Sequence, residues 1–200
     1  MNNDRHLEDW IETWLQYLDN TEPPTIFHEW VAVSTLAAAM ERKIWLTWHK
    51  PIYPNMYIVL VAPPGKCRKG TAMGPAHEVL SDLNVTLSAD ASSDAALVQA
   101  LRKASSSFIP DQGLQQINAS LTIFSEEMSV FFPANAKDMI SYLCDWFDCK
   151  NVWEYDTISR GREGIKNVWV NMIAATTPGN LQAQAAEEII SMGLISRIIF

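Results

Sequence analysis

The segment Met56–Met73, MYIVLVAPPGKCRKGTAM, constrains the fold more than any other stretch of the chain. A continuous apolar run of strand length passes through Pro63-Pro64-Gly65 into a helix-like stretch near Lys69. Such a run, without polar alternation, is expected of a strand buried on both faces of a parallel sheet. Where that strand turns into a helix, backbone N–H groups gather at the helix N-terminus and can hold an anion. Gly65, after Pro64, permits close backbone approach. Lys69 supplies an ammonium for β- and γ-phosphates, and Thr71 a hydroxyl for Mg²⁺. Lys66 and Arg68 add positive charge. The spelling departs from G-x-x-x-x-G-K-[ST]. Arg68 precedes the lysine, Gly70 follows it, and Lys69 stands four positions after Gly65 where that pattern sets six between its first glycine and its lysine. A shifted register would make Arg68 the phosphate cation. The plainer reading is a basic surface turn.

A second segment, LTIFSEE (Leu121–Glu127), is another apolar run, ending in two adjacent carboxylates. Phosphate-loop ATPases place a metal-shell carboxylate and a water-activating carboxylate at such a strand end. Adjacent strand residues point to opposite faces, so the roles are expected to split: Glu126 to the metal and Glu127 to the water. Two solvated glutamates at a strand exit are the alternative.

Around these segments, strand and helix patterns alternate. Leu7, Trp10, Ile11, Trp14, Leu15 and Leu18 recur at helical spacing. A second helix is expected from Ile26 to Arg42, then a strand-like KIWLTW. Helices are also expected over GTAMGPAHEVLSDL, distorted or delayed at Gly74-Pro75, over SSDAALVQALRKA with a Ser93 or Asp94 cap, over NAKDMISYLCDWFD, and over NLQAQAAEEIISMG. NVTLSAD reads as a short strand, SLTIFSEEMSVFF as a buried one, and VWVNMIAATTP as a third. The alternation predicts an α/β fold with a mainly parallel central sheet flanked by helices. Residues 1–50 form an N-terminal helical segment, a core cover or an oligomer contact, and 51–200 the core. The closing GLISRIIF reads as a strand stopping in mid-pattern, as in the N-terminal part of a longer chain.

Charge and cysteine content narrow the partners. The net charge of −8 argues against coating nucleic acid by bulk electrostatics, so any such contact must be local. Three cysteines suggest no disulfide framework, and Cys144 and Cys149 have no nearby histidine to complete a metal site. With no membrane-length apolar run and a polar start, a cytoplasmic location is expected. The segment YDTISRGREGIKN carries Arg160, Arg162 and Lys166 around a glycine turn, either a nucleic-acid contact or a solvated hairpin. Thr176 or Thr177 could contact a γ-phosphate or water, or Thr177 could cap the following helix. Arg197 could be an arginine finger in cis or for a neighbouring subunit, or an ordinary surface arginine.

In order and wording, YPNMYIVLVAPPGKCRKGTA, LTIFSEE and NMIAATTPGNLQ leading to GLISRIIF resemble phage, plasmid and prophage replication proteins with a helicase-like P-loop ATPase domain, over residues 26–200. The resemblance implies an ASCE-type ATPase core, ring-forming and linked to DNA unwinding, with ATP and Mg²⁺ as cofactors. It makes Lys69 and Thr71 the phosphate and Mg²⁺ ligands, Glu126 and Glu127 the acidic pair, Thr177 the sensor, Arg197 the finger and the basic hairpin a single-stranded DNA contact. The expected function is a replicative helicase motor. The Lys-Gly-Thr wording also suggests a nucleotide kinase, and the irregular loop a non-hydrolysing adaptor or loader.

Overall fold

A computed structural model describes residues 9–110, 113–132, 136–157, 161–184 and 193–200. Two N-terminal helices come first, α1 (Trp10–Leu18) and α2 (Thr25–Met40). Asp9 caps α1 by accepting from the Glu12 N–H. A short antiparallel ribbon follows, β1 (Leu46–Thr47) with β2 (Pro51–Ile52). The boundary read at residue 50 lies within this ribbon. Then come β3 (Tyr57–Val61), α3 (Lys69–Asp82), α4 (Asp94–Lys103), β4 (Ser105–Phe108), β5 (Gln116–Ser125), α5 (Met128–Phe131) and α6 (Lys137–Phe147). The chain continues as β6 (Val152–Thr157), β7 (Gly161–Lys166), β8 (Val168–Thr176), α7 (Pro178–Gln184) and β9 (Ile198–Ile199).

The central sheet has the order β4-β5-β8-β3-β9. Neighbours from β5 to β9 pair in parallel, while β4 is an antiparallel edge on β5. This is the α/β architecture with a mainly parallel sheet that the strand–helix alternation implies. Every residue of β8 is buried, as a strand covered on both faces requires. One face packs Tyr57, Val59, Leu121, Ile123, Val170 and Met172 against α4, α5 and α6. The other packs Ile58, Leu60, Phe124, Ile173 and Ala175 against α1, α2 and α3 through Trp14, Leu18, Val31, Ala72, Met73 and Leu80.

Several local expectations change on folding. NVTLSAD contributes one parallel bridge, Leu87 to Thr122, held by Thr122 N–H to Thr86 O and Ser88 N–H to Thr122 O. The strand read into EEMSVFF stops at Ser125, because Glu127 caps the single turn of α5. Helix α3 runs through Pro75 without a break, since the burial of Ala72, Met73, Ala76 and Leu80 outweighs the one lost backbone bond. Strand β9 is two residues long and follows a 3₁₀ turn, Ile195–Arg197.

Arg42 fastens the N-terminal part to the base of the sheet. It is 4% exposed and donates to Cys149 O, Val168 O and Asn151 Oδ1 at 2.6–2.7 Å, while stacking on Tyr53. No helix among the described residues is long and apolar enough to cross a membrane.

Candidate nucleotide site

Strands β3, β5 and β8 end on the same edge of the sheet. Val61 stands level with Thr176, and Ser125 level with Ala174. In open parallel sheets, ligands gather outside the carboxyl ends of the strands. The three segments singled out from the sequence therefore meet there: Ala62–Arg68, Glu126-Glu127 and Thr176-Thr177.

The loop after β3 is tightly wound. Gly65, Cys67 and Arg68 have φ of +69°, +61° and +41°. Left-handed conformations at non-glycine residues such as Cys67 and Arg68 store roughly 1–3 kcal/mol each and cluster at ligand sites. Helix α3 begins at Lys69 with no side chain capping its first turn. The Lys69 ammonium folds back across the loop and donates to Ala62 O at 2.8 Å. Arg68 pairs instead with the exposed Glu22 of the α1–α2 elbow. Lys69 thus spans the loop, whereas Arg68 points to its rim. Pro63, Pro64, Gly65 and Lys66 are exposed along it, as is Thr71 on α3.

Gly70 explains part of the irregular spelling. A Cβ built on it would lie 3.2 Å from Glu126 Oε2. The first turn of α3 therefore lies directly against the Glu126 carboxylate, and a side chain at position 70 would push that carboxylate aside. A carboxylate and the Thr71 hydroxyl are hard oxygen donors of the kind Mg²⁺ takes.

The two glutamates diverge, as expected. Glu126 sits in the bend after β5 beside α3, while Glu127 turns to the other side. Its Oε1 accepts from Ser129 Oγ at 2.8 Å and from Asn180 Nδ2 at 3.2 Å. Asn180, on α7, is a site residue the sequence did not flag. Its only sequence signal is a place three residues after Thr177, where a helix first turn faces the strand edge. Thr177 Oγ1 accepts the Asn180 N–H at 3.2 Å, so Thr177 performs the capping role. Thr176 is fully buried, and its hydroxyl has no hydrogen-bond partner.

Arg197 and the basic hairpin lie away from this edge. Arg197 precedes Ile198, which pairs with Tyr57 at the start of β3, so it sits at the opposite end of the sheet. It donates to Gly193 O at 3.0 Å and lies 3.9 Å from Asp148. An in-cis finger is therefore excluded by position. The β6–β7 hairpin also rises from that opposite end, anchored by buried Trp153 and Ile165. Arg162 is paired with Glu154, Lys166 is exposed, and Arg160 lies outside the described residues.

The loop falls within a sequence interval of one charge sign, although Arg42 of that interval is buried at the other end of the sheet. From Arg42 to His77 the chain has no Asp or Glu, while it carries Arg42, Lys43, Lys50, Lys66, Arg68 and Lys69. This is a long basic interval in an acidic chain.

No family model matches the sequence, and no curated protein matches it. Among solved structures, NtrX from Brucella abortus is similar over 82% of this chain and 37% of its own, at 17% identity and a TM-score of 0.37. The chain thus spans little more than a third of that protein, and a likeness this slight carries no functional argument.

Proposed function

We propose that the chain is a P-loop ATPase module, the motor domain of a phage-type replicative DNA helicase that couples Mg-ATP hydrolysis to movement along single-stranded DNA. The observation that carries the nucleotide reading is the contact of Gly70 with Glu126, which joins the lysine loop to the acidic strand end. The strand order supports it, because β8 lies between β3 and β5 and sets the lysine loop and the acidic end on either side of its own carboxyl end.

In this reading the bare first turn of α3 and the Lys69 ammonium hold the β- and γ-phosphates. Thr71 and Glu126 hold Mg²⁺, which when bound neutralises developing phosphate charge. Glu127, positioned by Asn180, accepts a proton from the attacking water. The water oxygen bonds to the γ-phosphorus as its bond to the bridging oxygen breaks, leaving ADP and phosphate. The helicase assignment, the DNA contact by Arg162, Lys166 and Arg160, and the ring assembly rest on the sequence resemblance.

One observation favours a non-hydrolysing adaptor instead: the Glu127 carboxylate already serves Ser129 and Asn180. Turnover measured with and without single-stranded DNA, with Lys69→Ala as the blank, separates the two. DNA-stimulated turnover lost in the variant supports the motor. ATP binding with no turnover above the variant supports the adaptor.

A further inference from the structure

The β1–β2 ribbon carries an apolar patch that no other described element covers. Ile44, Trp45, Leu46, Trp48 and Ile52 are all exposed, Trp48 at 73%. Single exposed apolar side chains are ordinary, but this many within one short ribbon form a patch, and patches mark interaction sites. Charge gives the patch a sign. His49 and Lys50, at the turn of the ribbon, are exposed. Lys43 is paired with Glu41, whereas Lys50 makes no ion pair among the described residues. Between Glu41 and Glu78 the sequence offers no carboxylate to neutralise it.

Behind the ribbon, against the end of α6, lies a cavity of about 240 Å³. Lys50, Ile52, Tyr53, Asn55, Phe147 and Asp148 line it. Asn55 fastens the two walls together by donating to Phe147 O at 2.9 Å. Tyr53, Asn55 and Phe147 are only half-buried, and Lys50 and Asp148 are exposed, so their side chains are within reach of a ligand. The volume is below the roughly 300 Å³ at which sites for whole small molecules begin, and suits one ring of a longer ligand. Tyr53 and Phe147 supply aromatic surface to such a ring, and Asn55 and Asp148 supply polar groups for its edge.

We propose that this face binds an unpaired nucleic-acid strand, with one base stacked on Trp48, a neighbouring base in the cavity and Lys50 against the phosphates. Aromatic groups that stack bases, set beside cations that follow the backbone, are the means by which single strands are held without regard to sequence. A duplex keeps its base faces stacked inside and offers Trp48 nothing. A second copy docking through the same face in a two-fold contact would bring the lysines of both ribbons together with no acid between them. The ribbon leads into the start of β3, the end of the sheet opposite the lysine loop, so strand and nucleotide do not compete for space. The proposal rests on the motor reading for the use of the strand and adds a contact distinct from the β6–β7 hairpin.

The test is fluorescence anisotropy of a labelled oligo(dT) of about 15 nucleotides, titrated with the full chain without nucleotide over a series of salt concentrations. The single strand is expected to bind more tightly than a duplex of the same length. Trp48→Ala, remote from the core by its exposure, is expected to weaken binding by about tenfold, and Trp48→Phe to recover most of the loss. Lys50→Ala is expected to reduce the slope of log affinity against log salt by about 0.7. Wild-type affinity in both Trp48→Ala and Lys50→Ala overturns the ribbon site, and a loss confined to Lys166→Ala assigns the strand to the hairpin. If Trp48→Ala leaves oligo(dT) affinity intact but lowers the mass of the particle in sedimentation, the face joins copies of the chain and the proposal falls. If the wild-type chain binds no oligo(dT), the DNA contact of the motor reading falls with it. Ribbon-dependent binding without ATP turnover would sink the motor and keep the strand site.

Discussion

At the scale of single residues, Gly70 and Arg42 show how little a standard motif spelling needs to hold. Position 70 would carry Ser or Thr in the usual loop, yet here a Cβ would meet the Glu126 carboxylate. Gly70→Ala should therefore displace Glu126 and weaken Mg-ADP by about tenfold, with a smaller effect on metal-free ADP; equal losses with and without metal would remove Glu126 from the metal shell. Arg42 is buried and donates to carbonyl and amide oxygens. Arg42→Met leaves Cys149 O and Val168 O without donors, and unsatisfied buried groups cost about 1–3 kcal/mol each. Urea unfolding should show a loss of about 2–4 kcal/mol, and Arg42→Lys should not restore it, because an ammonium cannot span three acceptors with the fixed fork of a guanidinium. His28 adds a pH signature. Its folded pKa lies below the ordinary 6.5 because of burial. Its contribution to stability is thus fully present above pH 6.5 and is lost as pH falls below that value, where only the unfolded chain takes the proton. A stability profile in which His28→Phe flattens the decline between pH 6.5 and 5 would bear this out, and an unchanged slope would not.

At the scale of elements, periodicity was informative where burial is simple and weak where tertiary contacts decide. Strands β3, β5 and β8 announce themselves as apolar runs because they lie between two helix layers. Helix α4 is marked by its cap, and Ser93 Oγ accepts the Ala96 N–H at 3.2 Å as expected. Ser93→Ala should cost about 1 kcal/mol in thermal or urea unfolding; no change would mean the first turn is held by packing alone. Strand β4 was not legible, because Ser105-Ser106-Ser107 have low apolar content and form a strand only by pairing with Ala119, Asn118 and Ile117. β9 lies inside the strand-like GLISRIIF, though only Ile198 and Ile199 pair, with Tyr57 and Ile58. The site was legible in part. Lys69, Glu126 and Glu127 stand out by type and spacing. Asn180 does not, since it acquires its partner Glu127 from a distant element.

At the scale of the whole molecule, the N-terminal helices and the sheet form a single packed body. Trp14 and Leu18 of α1 share a core with Ile58, Leu60 and Ile173 of the sheet. Unfolding followed by tryptophan fluorescence and by far-ultraviolet circular dichroism should therefore give coincident transitions. Separate midpoints would show that residues 1–50 fold as their own unit. The two ends of the sheet also divide the polar groups, with the lysine loop and acidic pair at one end and Arg197 with the β6–β7 hairpin at the other. Along β3 those ends are roughly 16 Å apart, at about 3.3 Å per residue. If Arg197 takes part in hydrolysis, each catalytic centre is a joint property of two copies. Specific activity would then climb with protein concentration instead of staying constant. Two inactive preparations, Lys69→Ala and Arg197→Ala, would recover part of the lost turnover when mixed, since some interfaces would pair an intact loop with an intact arginine.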